Sequence, residues 1–222
     1  QNKHKPAGQG YRLDSINEVK TGYTYCFMLD KPGTGPGKVR ATTLSLARQL
    51  PTTRRFRFHL YADNYFTSVS TFRQIGEMGH VVCGTWKPRA GAQIPDELTS
   101  AACVANTEGG QQPGDVYGPL YADSVLVAWA WMDSAHINFL TTIHQGNQAA
   151  DGGTLLRRSA TSLTRGELGS GRSVRAAPQC AIDYNKYTLG VDKCDQMGGW
   201  DVFTAASIET SPERLFSFGR WT

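Results

Sequence analysis

Between residues 54 and 86 the hydrophobic period of this chain changes twice. Phe56, Phe58 and Leu60 alternate with Arg57 and His59, which puts them on one face of a strand ending at Asp63. Val69, Phe72, Ile75 and Met78 then recur at helical spacing, so residues 66–78 are expected to form a helix that Gly79 caps. His80-Val81-Val82-Cys83-Gly84-Thr85-Trp86 follows as a short apolar run suited to a buried strand. Strand, helix, strand in that order requires a sheet with helices packed on it. Asp63 falls at the C-terminal end of a strand, where open α/β sheets place their chemistry. Asp63-Asn64 also suits the N-cap of the helix, and spacing alone favours that role.

The flanks fit the same class. Gly10 to Asp30 is expected to be a hairpin, with strand residues alternating about a Lys20-Thr21-Gly22 turn. Val39, Thr43, Leu46 and Leu50 form the apolar stripe of a helix over 39–50, ended by Pro51. The fold class is therefore α/β with a mixed sheet. From Lys87 the pattern changes: residues 87–123 show little periodicity. Residues 124–144 form a second hairpin, with Val125, Val127, Trp129 and Trp131 on one face and a turn at Asp133-Ser134. Residues 145–178 are rich in Gly, Ser, Thr and Arg, and suggest a flexible basic loop. Pro212 to Phe218 suggests the start of a further helix.

Composition narrows the class. Hydrophobic residues make up 40%, enough for a core. A formal net charge of +4 permits an anionic partner without requiring one. No apolar run reaches membrane-spanning length. The five cysteines contain no C-x-x-C pair, which favours reduced thiols over a zinc module. The chain opens on Gln1 and is expected to be a fragment.

Several groups are candidates for chemistry. Cys180 to Met197 concentrates three carboxylates, two lysines and two tyrosines. Asp192 and Asp195 lie on one face if that stretch is helical, and such a pair needs a basic side chain or a metal ion. Asp63 and Asp192 are candidate ligands for divalent cations, since carboxylates are hard oxygen donors. Cys83 is expected to be an inert buried thiol. His136 and His144 frame a strand, as a metal pair or as strand-end residues. Trp129 and Trp131 either stack bases or fill the core.

Five collinear segments resemble one family, the piggyBac-type transposases. The Lys20-Thr21-Gly22-Tyr23 turn and its strands match the family's strand pair. Asp63-Asn64-Tyr65-Phe66-Thr67-Ser68 resembles D-N-[YFW]-[YF]-T-S, and Cys83-Gly84-Thr85 with Pro95 and Leu98 resembles C-G-T … P-x-x-L. Leu140-Thr141-Thr142-Ile143-His144 is similar to L-S-T-x-H. Tyr184-Asn185 through Val191-Asp192 to Asp195-Gln196-Met197 resembles Y-N-x-x-x-G-G-V-D-x-x-D-Q-M, with Leu189 in place of the first glycine.

The resemblance implies a ribonuclease-H-like DDE/D core with Asp63 and Asp192 as catalytic, metal-binding carboxylates and Asp195 as a supporting acid. It implies Mg²⁺ or Mn²⁺ in intact members, transposon-end DNA as partner, a homodimer and a nuclear location. Lys186, Lys193, Arg157 and Arg158 are the candidate DNA contacts. The implied organisation is a first core part over 1–89 and a β-rich insertion over 90–178. A core helix over 179–200 carries the third acid, and a degenerate tail covers 201–222. The family's first catalytic aspartate lies before the segment matching Gly10, so the core is expected to lack its central first strand. Two strand edges would then be unpaired, metal binding weak, and the chain poorly stable and inactive. The alternatives to an enzyme fragment are a domesticated DNA- or chromatin-binding module without catalysis and a decayed remnant.

Overall fold

The computed structural model describes residues 13–29, 36–51, 57–87, 94–105, 111–122, 125–144, 153–158, 172–190 and 214–221. Contacts divide the chain into two units, residues 1–82 with 187–222 and residues 83–186. The insertion expected over 90–178 falls inside the second unit.

In the first unit the strands β1 (Leu13–Glu18) and β2 (Thr24–Leu29) form the expected hairpin. Its turn is closed by Glu18, whose carboxylate accepts from Lys20 N at 3.0 Å and from Thr21 N at 2.7 Å. Gly22 takes φ 74° there, a conformation that disfavours a side chain. β1 is not one-sided. Asp14, Ser15, Ile16 and Asn17 are all buried, and Asn17 Nδ2 donates to Ser15 Oγ at 2.9 Å. Alternation is lost because both faces of this strand are covered.

Helix α1 (Pro36–Ala47) packs on β1 and β2, with Thr43, Leu44, Leu46 and Ala47 buried. The Cys26 thiol donates to Leu46 O at 3.7 Å, and burial pushes it up to about 11 against a smaller opposing hydrogen bond at Ile16. Strand β3 (Phe58–Ala62) follows. Helix α2 (Val69–Glu77) then begins three residues later than expected, because buried Phe66 and Thr67 belong to the turn before it. Ser68, not Asp63 or Asn64, is its N-cap, accepting from Thr71 N at 3.2 Å. At its other end Gly79 N reaches Gly76 O at 2.9 Å and His80 N reaches Ile75 O at 3.3 Å. Together these close the helix in a Schellman motif around Gly79 (φ 88°).

The helix start expected from Pro212 to Phe218 is corrected: from Arg214 the chain is a strand, β10 (Arg214–Trp221), and residues 212–213 lie outside the described residues. The order in this unit is β2-β1-β10-β3, with β10 antiparallel to β1 and parallel to β3. The edges of β1 and β3 that were expected to be unpaired are paired, and β10 is their common partner. Phe218 of β10 packs on Phe66, with ring centroids 5.5 Å apart. The aromatic residues of 214–221 suit a pleated, covered surface, and that pairing overrides the weak helix pattern.

The second unit contains the greater part of β4 (Val81–Trp86) and the strands β5 (Val116–Tyr121), β6 (Val127–Met132) and β7 (His136–Thr141). They run antiparallel in the order β4-β7-β6-β5. The 124–144 hairpin is present with its turn at Asp133, but Leu126 to Trp131 are all buried, so β6 is covered on both faces. Two stretches without apparent periodicity hold regular structure. A 3₁₀ turn (Asp96–Leu98), helix α3 (Ser100–Ala105) and β5 lie within 87–123. The expected loop 145–178 contains an antiparallel ribbon of β8 (Thr154–Arg158) and β9 (Arg172–Ala176). Helix α4 (Gln179–Tyr187) follows, with Cys180 and Ala181 buried. No helix among the described residues is long and apolar enough to cross a membrane.

Candidate functional site

Asp63 follows β3 directly and is exposed. Its Oδ1 accepts from Tyr65 N at 2.8 Å, and its carbonyl accepts from the Thr67 hydroxyl at 2.7 Å. These bonds hold the D-N-Y-F-T-S segment as a turn that buries Phe66 and Thr67 while the carboxylate stays at the surface. Asp63 is thus a turn former, and an exposed hard-oxygen donor at a strand end.

Asp192, Lys193 and Asp195 lie outside the described residues. Lys186 is exposed in the last turn of α4. The chain that leads toward Asp192 is described as far as Gly190. A Cβ at Gly190 would stand 2.7 Å from Ser217 Oγ and 3.1 Å from both Glu18 O and Val19 Cα. A side chain at this position would therefore press on β1's turn and on Ser217 of β10. Leu189, which replaces the other glycine of the motif, is 46% exposed and meets no such limit.

The second unit holds a partly buried polar group that the sequence did not single out as a unit. His144 Nε2 donates to Asp183 Oδ2 at 2.9 Å, and His144 Nδ1 pairs with the Thr141 hydroxyl at 3.0 Å. Gln179 Nε2 donates to Asp183 Oδ1 at 2.8 Å. Burial pushes the Asp183 carboxyl up, but the hydrogen bonds from His144 and Gln179 and the charges of His144 and Lys186 reverse this, holding it below the usual range. The set fastens α4 to the end of β7. Only the Thr141/His144 spacing is local; Asp183 is far along the chain, so no sequence signal joins it to them.

His136 is held elsewhere, by Leu98 O at 3.0 Å and Gln111 Nε2 at 2.9 Å, so the two histidines serve separate networks. Burial drives the Cys83 thiol far up, ahead of a smaller opposing bond at Thr141, and its Sγ donates to Cys180 O at 3.8 Å. It is the inert thiol expected. Trp129 and Trp131 are fully buried and belong to the core. Arg157 and Arg158 stand on β8, and Arg175 of β9 donates to Asp133 Oδ1 at 3.0 Å.

Asp63 has the chemistry of a Mg²⁺ or Mn²⁺ ligand. The described residues do not complete a donor set: no group of three or more of their His, Cys, Asp and Glu side chains is placed to hold a metal ion. No step through a metal ion is derived from them.

A family model described as Transposase IS4 matches residues 1–217. No curated protein matches the chain. Among solved structures, the chain is similar to the cryo-EM structure of piggyBac transposase synaptic complex with hairpin DNA, at 19% identity and a TM-score of 0.58. That match covers 89% of this chain and 36% of the other, so the chain spans about a third of that protein's length. By the family match, supported in its fold by the piggyBac structure, the chain belongs to the Transposase IS4 family as a piggyBac-type transposase domain.

Proposed function

We propose that this chain is a transposase-derived domain whose intact relatives cut DNA and transfer its strands at carboxylate-held Mg²⁺ or Mn²⁺, and that the chain by itself does not catalyse that reaction. In this reading Asp63 and Asp192 are the metal-binding carboxylates of the chain and Asp195 supports them. The core is ribonuclease-H-like. The order β2-β1-β10-β3, mixed in direction, supports this, with β10 in the slot of a central first strand.

One observation carries the inactivity. β10 is the strand beside β3, and Arg214-Leu215-Phe216-Ser217-Phe218-Gly219-Arg220-Trp221 contains no carboxylate. Metal-assisted phosphoryl transfer needs acidic groups that converge on one place, and the strand next to Asp63 supplies none. The same observation favours a non-catalytic DNA- or chromatin-binding module as the second reading. The similar piggyBac structure is a synaptic complex with hairpin DNA. DNA is accordingly the partner we assign, with a homodimer as the assembly and the nucleus as the location.

The test is incubation of the chain with supercoiled and terminal-repeat DNA in Mg²⁺ or Mn²⁺. Retarded but uncut DNA is expected. Metal-dependent nicking that disappears in Asp63→Ala would overturn the inactivity. A chain that neither binds nor nicks DNA would leave only a decayed remnant.

A further inference from the structure

The end strands of the two units are protected differently. β5 ends the second unit's order, and Gly118 and Pro119 interrupt it where its register against β6 shifts between Tyr117 and Leu120. A proline and a shift of this kind blunt an edge against further pairing. β2 ends the first unit's order, and among the described residues β1 is its one strand neighbour. Thr24-Tyr25-Cys26-Phe27-Met28-Leu29 contains no charged residue, no proline and no glycine. Its register against β1 shifts near the turn, but from Cys26 to Leu29 the pairing is regular.

The two faces of β2 also differ. Cys26 is buried, and its thiol donates to Leu46 O of α1 at 3.7 Å. The pleat turns Phe27 and Leu29 to the other face. They are 60% and 57% exposed. An edge strand directs every second N–H and C=O outward. An uncharged, β-prone edge with exposed apolar side chains is therefore suited to accept another strand.

We infer that β2 is the contact through which two copies of this chain pair, antiparallel and edge to edge about a twofold axis. Charge decides the occupant. A twofold axis presents the same patch to itself, so a charged strand would meet its own charge; β2 has none to repel. An acidic or basic partner strand would find no counter-charge on it. With Phe27 opposite Phe27 of the second copy, Tyr25 opposes Leu29 of the second copy, and such aromatic and apolar cross-strand pairs are favourable. The exposed part of Phe27 is on the order of 100 Å², and Leu29 adds a similar amount, so the paired edges bury less than about 1,200 Å² in total. That is the range of weak, reversible contacts. The inference rests on the homodimer assigned above, for which it supplies the surface, and not on DNA or on chemistry at Asp63.

The test is sedimentation of the full chain without DNA between about 1 and 200 µM, where a reversible dimer of micromolar or weaker affinity is expected. Phe27→Lys is expected to weaken it at least about tenfold, because the two lysines would face each other. Phe27→Glu is expected to do the same, while an equimolar mixture of the two variants is expected to restore the dimer, which misfolded chains would not do. Phe27→Cys is expected to cross-link two chains under mild oxidation that leaves the wild type uncrosslinked. Directly opposed antiparallel residues have Cα atoms about 4.5–5.5 Å apart, within disulfide reach. A Phe27→Lys dimer as tight as the wild type would overturn the role of β2 and leave the homodimer standing. Wild-type chain that stays monomeric at every concentration would overturn both.

Discussion

In the first unit Leu13 opposes Trp221 and Phe58 opposes Arg214, whereas in the second Tyr121 opposes Val127 and Met132 opposes His136. The first unit's strand order is closed by a strand remote in sequence; the second's is built chiefly from consecutive hairpins. Remote pairing requires loop closure before any contact rewards it, and hairpins avoid most of that cost. The first unit also buries polar residues on β1, while the second fills β6 with Val, Ala and Trp. The first unit is therefore the one whose stability depends on a single element, β10.

The sharpest way to break this comparison is Phe218→Ala. Phe218 is 4% exposed and stacked on Phe66, and such a truncation costs about 3–5 kcal/mol. Hydrogen exchange is expected to rise over 13–18 and 58–62 while 127–141 keeps its protection. Equal losses in both regions would show that the units do not differ in this way. Gly190→Ala comes next, at about 1–3 kcal/mol, because two of the three atoms it would meet are backbone and cannot turn aside. Its urea midpoint should fall with the first unit's signals; an unchanged midpoint would remove β10's turn contact from the account.

Trp131→Phe probes the second unit. It deletes the donor to Ala176 O at a cost of about 1–3 kcal/mol and should loosen the base of the ribbon. Faster proteolysis between β8 and β9 is the expected readout, and wild-type cleavage rates would count against the anchor.

The smallest effects are in pH. Both ring nitrogens of His80 lack a hydrogen-bond partner among the described residues, and burial lowers its pKa from 6.5. Its unfolded form binds the proton more readily, so its contribution is complete above 6.5 and is lost as pH falls through the lowered folded value. Asp183 is likewise lowered, from 3.8, and its contribution is lost only as pH falls further, through its folded value. Acid should thus weaken the first unit before the second. Calorimetry of His80→Phe, expected to flatten the earlier loss, and of Asp183→Asn, expected to flatten the later one, checks that order. Coincident losses would contradict it.

What the sequence made legible was what is local. The β1–β2 hairpin, α2 and the β6–β7 hairpin follow from periodicity and turn residues within a few positions of one another. β8 and β9 are short and rich in arginine, and they carry no apolar alternation to mark them as strands. β10 was misread because a short aromatic run suits a helix start as well as a strand, and only distant partners decide between them. At the candidate site, the strand end at Asp63 was visible, but Asp63-Asn64 suited a helix cap; the cap proved to be Ser68, and Asp63 forms the turn before it. The His144–Asp183 pair was invisible because nothing near either residue indicates the other.

The place of β10 also has a consequence for the order in which this protein is made. Synthesis runs from the N-terminus, and residues 81–141 contain β4, β5, β6 and β7. The first unit must wait for residues 214–221, with the edges of β1 and β3 that β10 pairs left open meanwhile. A nascent chain stalled before residue 214 would hold one finished unit and one open one, and the open one is where a chaperone or a stray strand would attach.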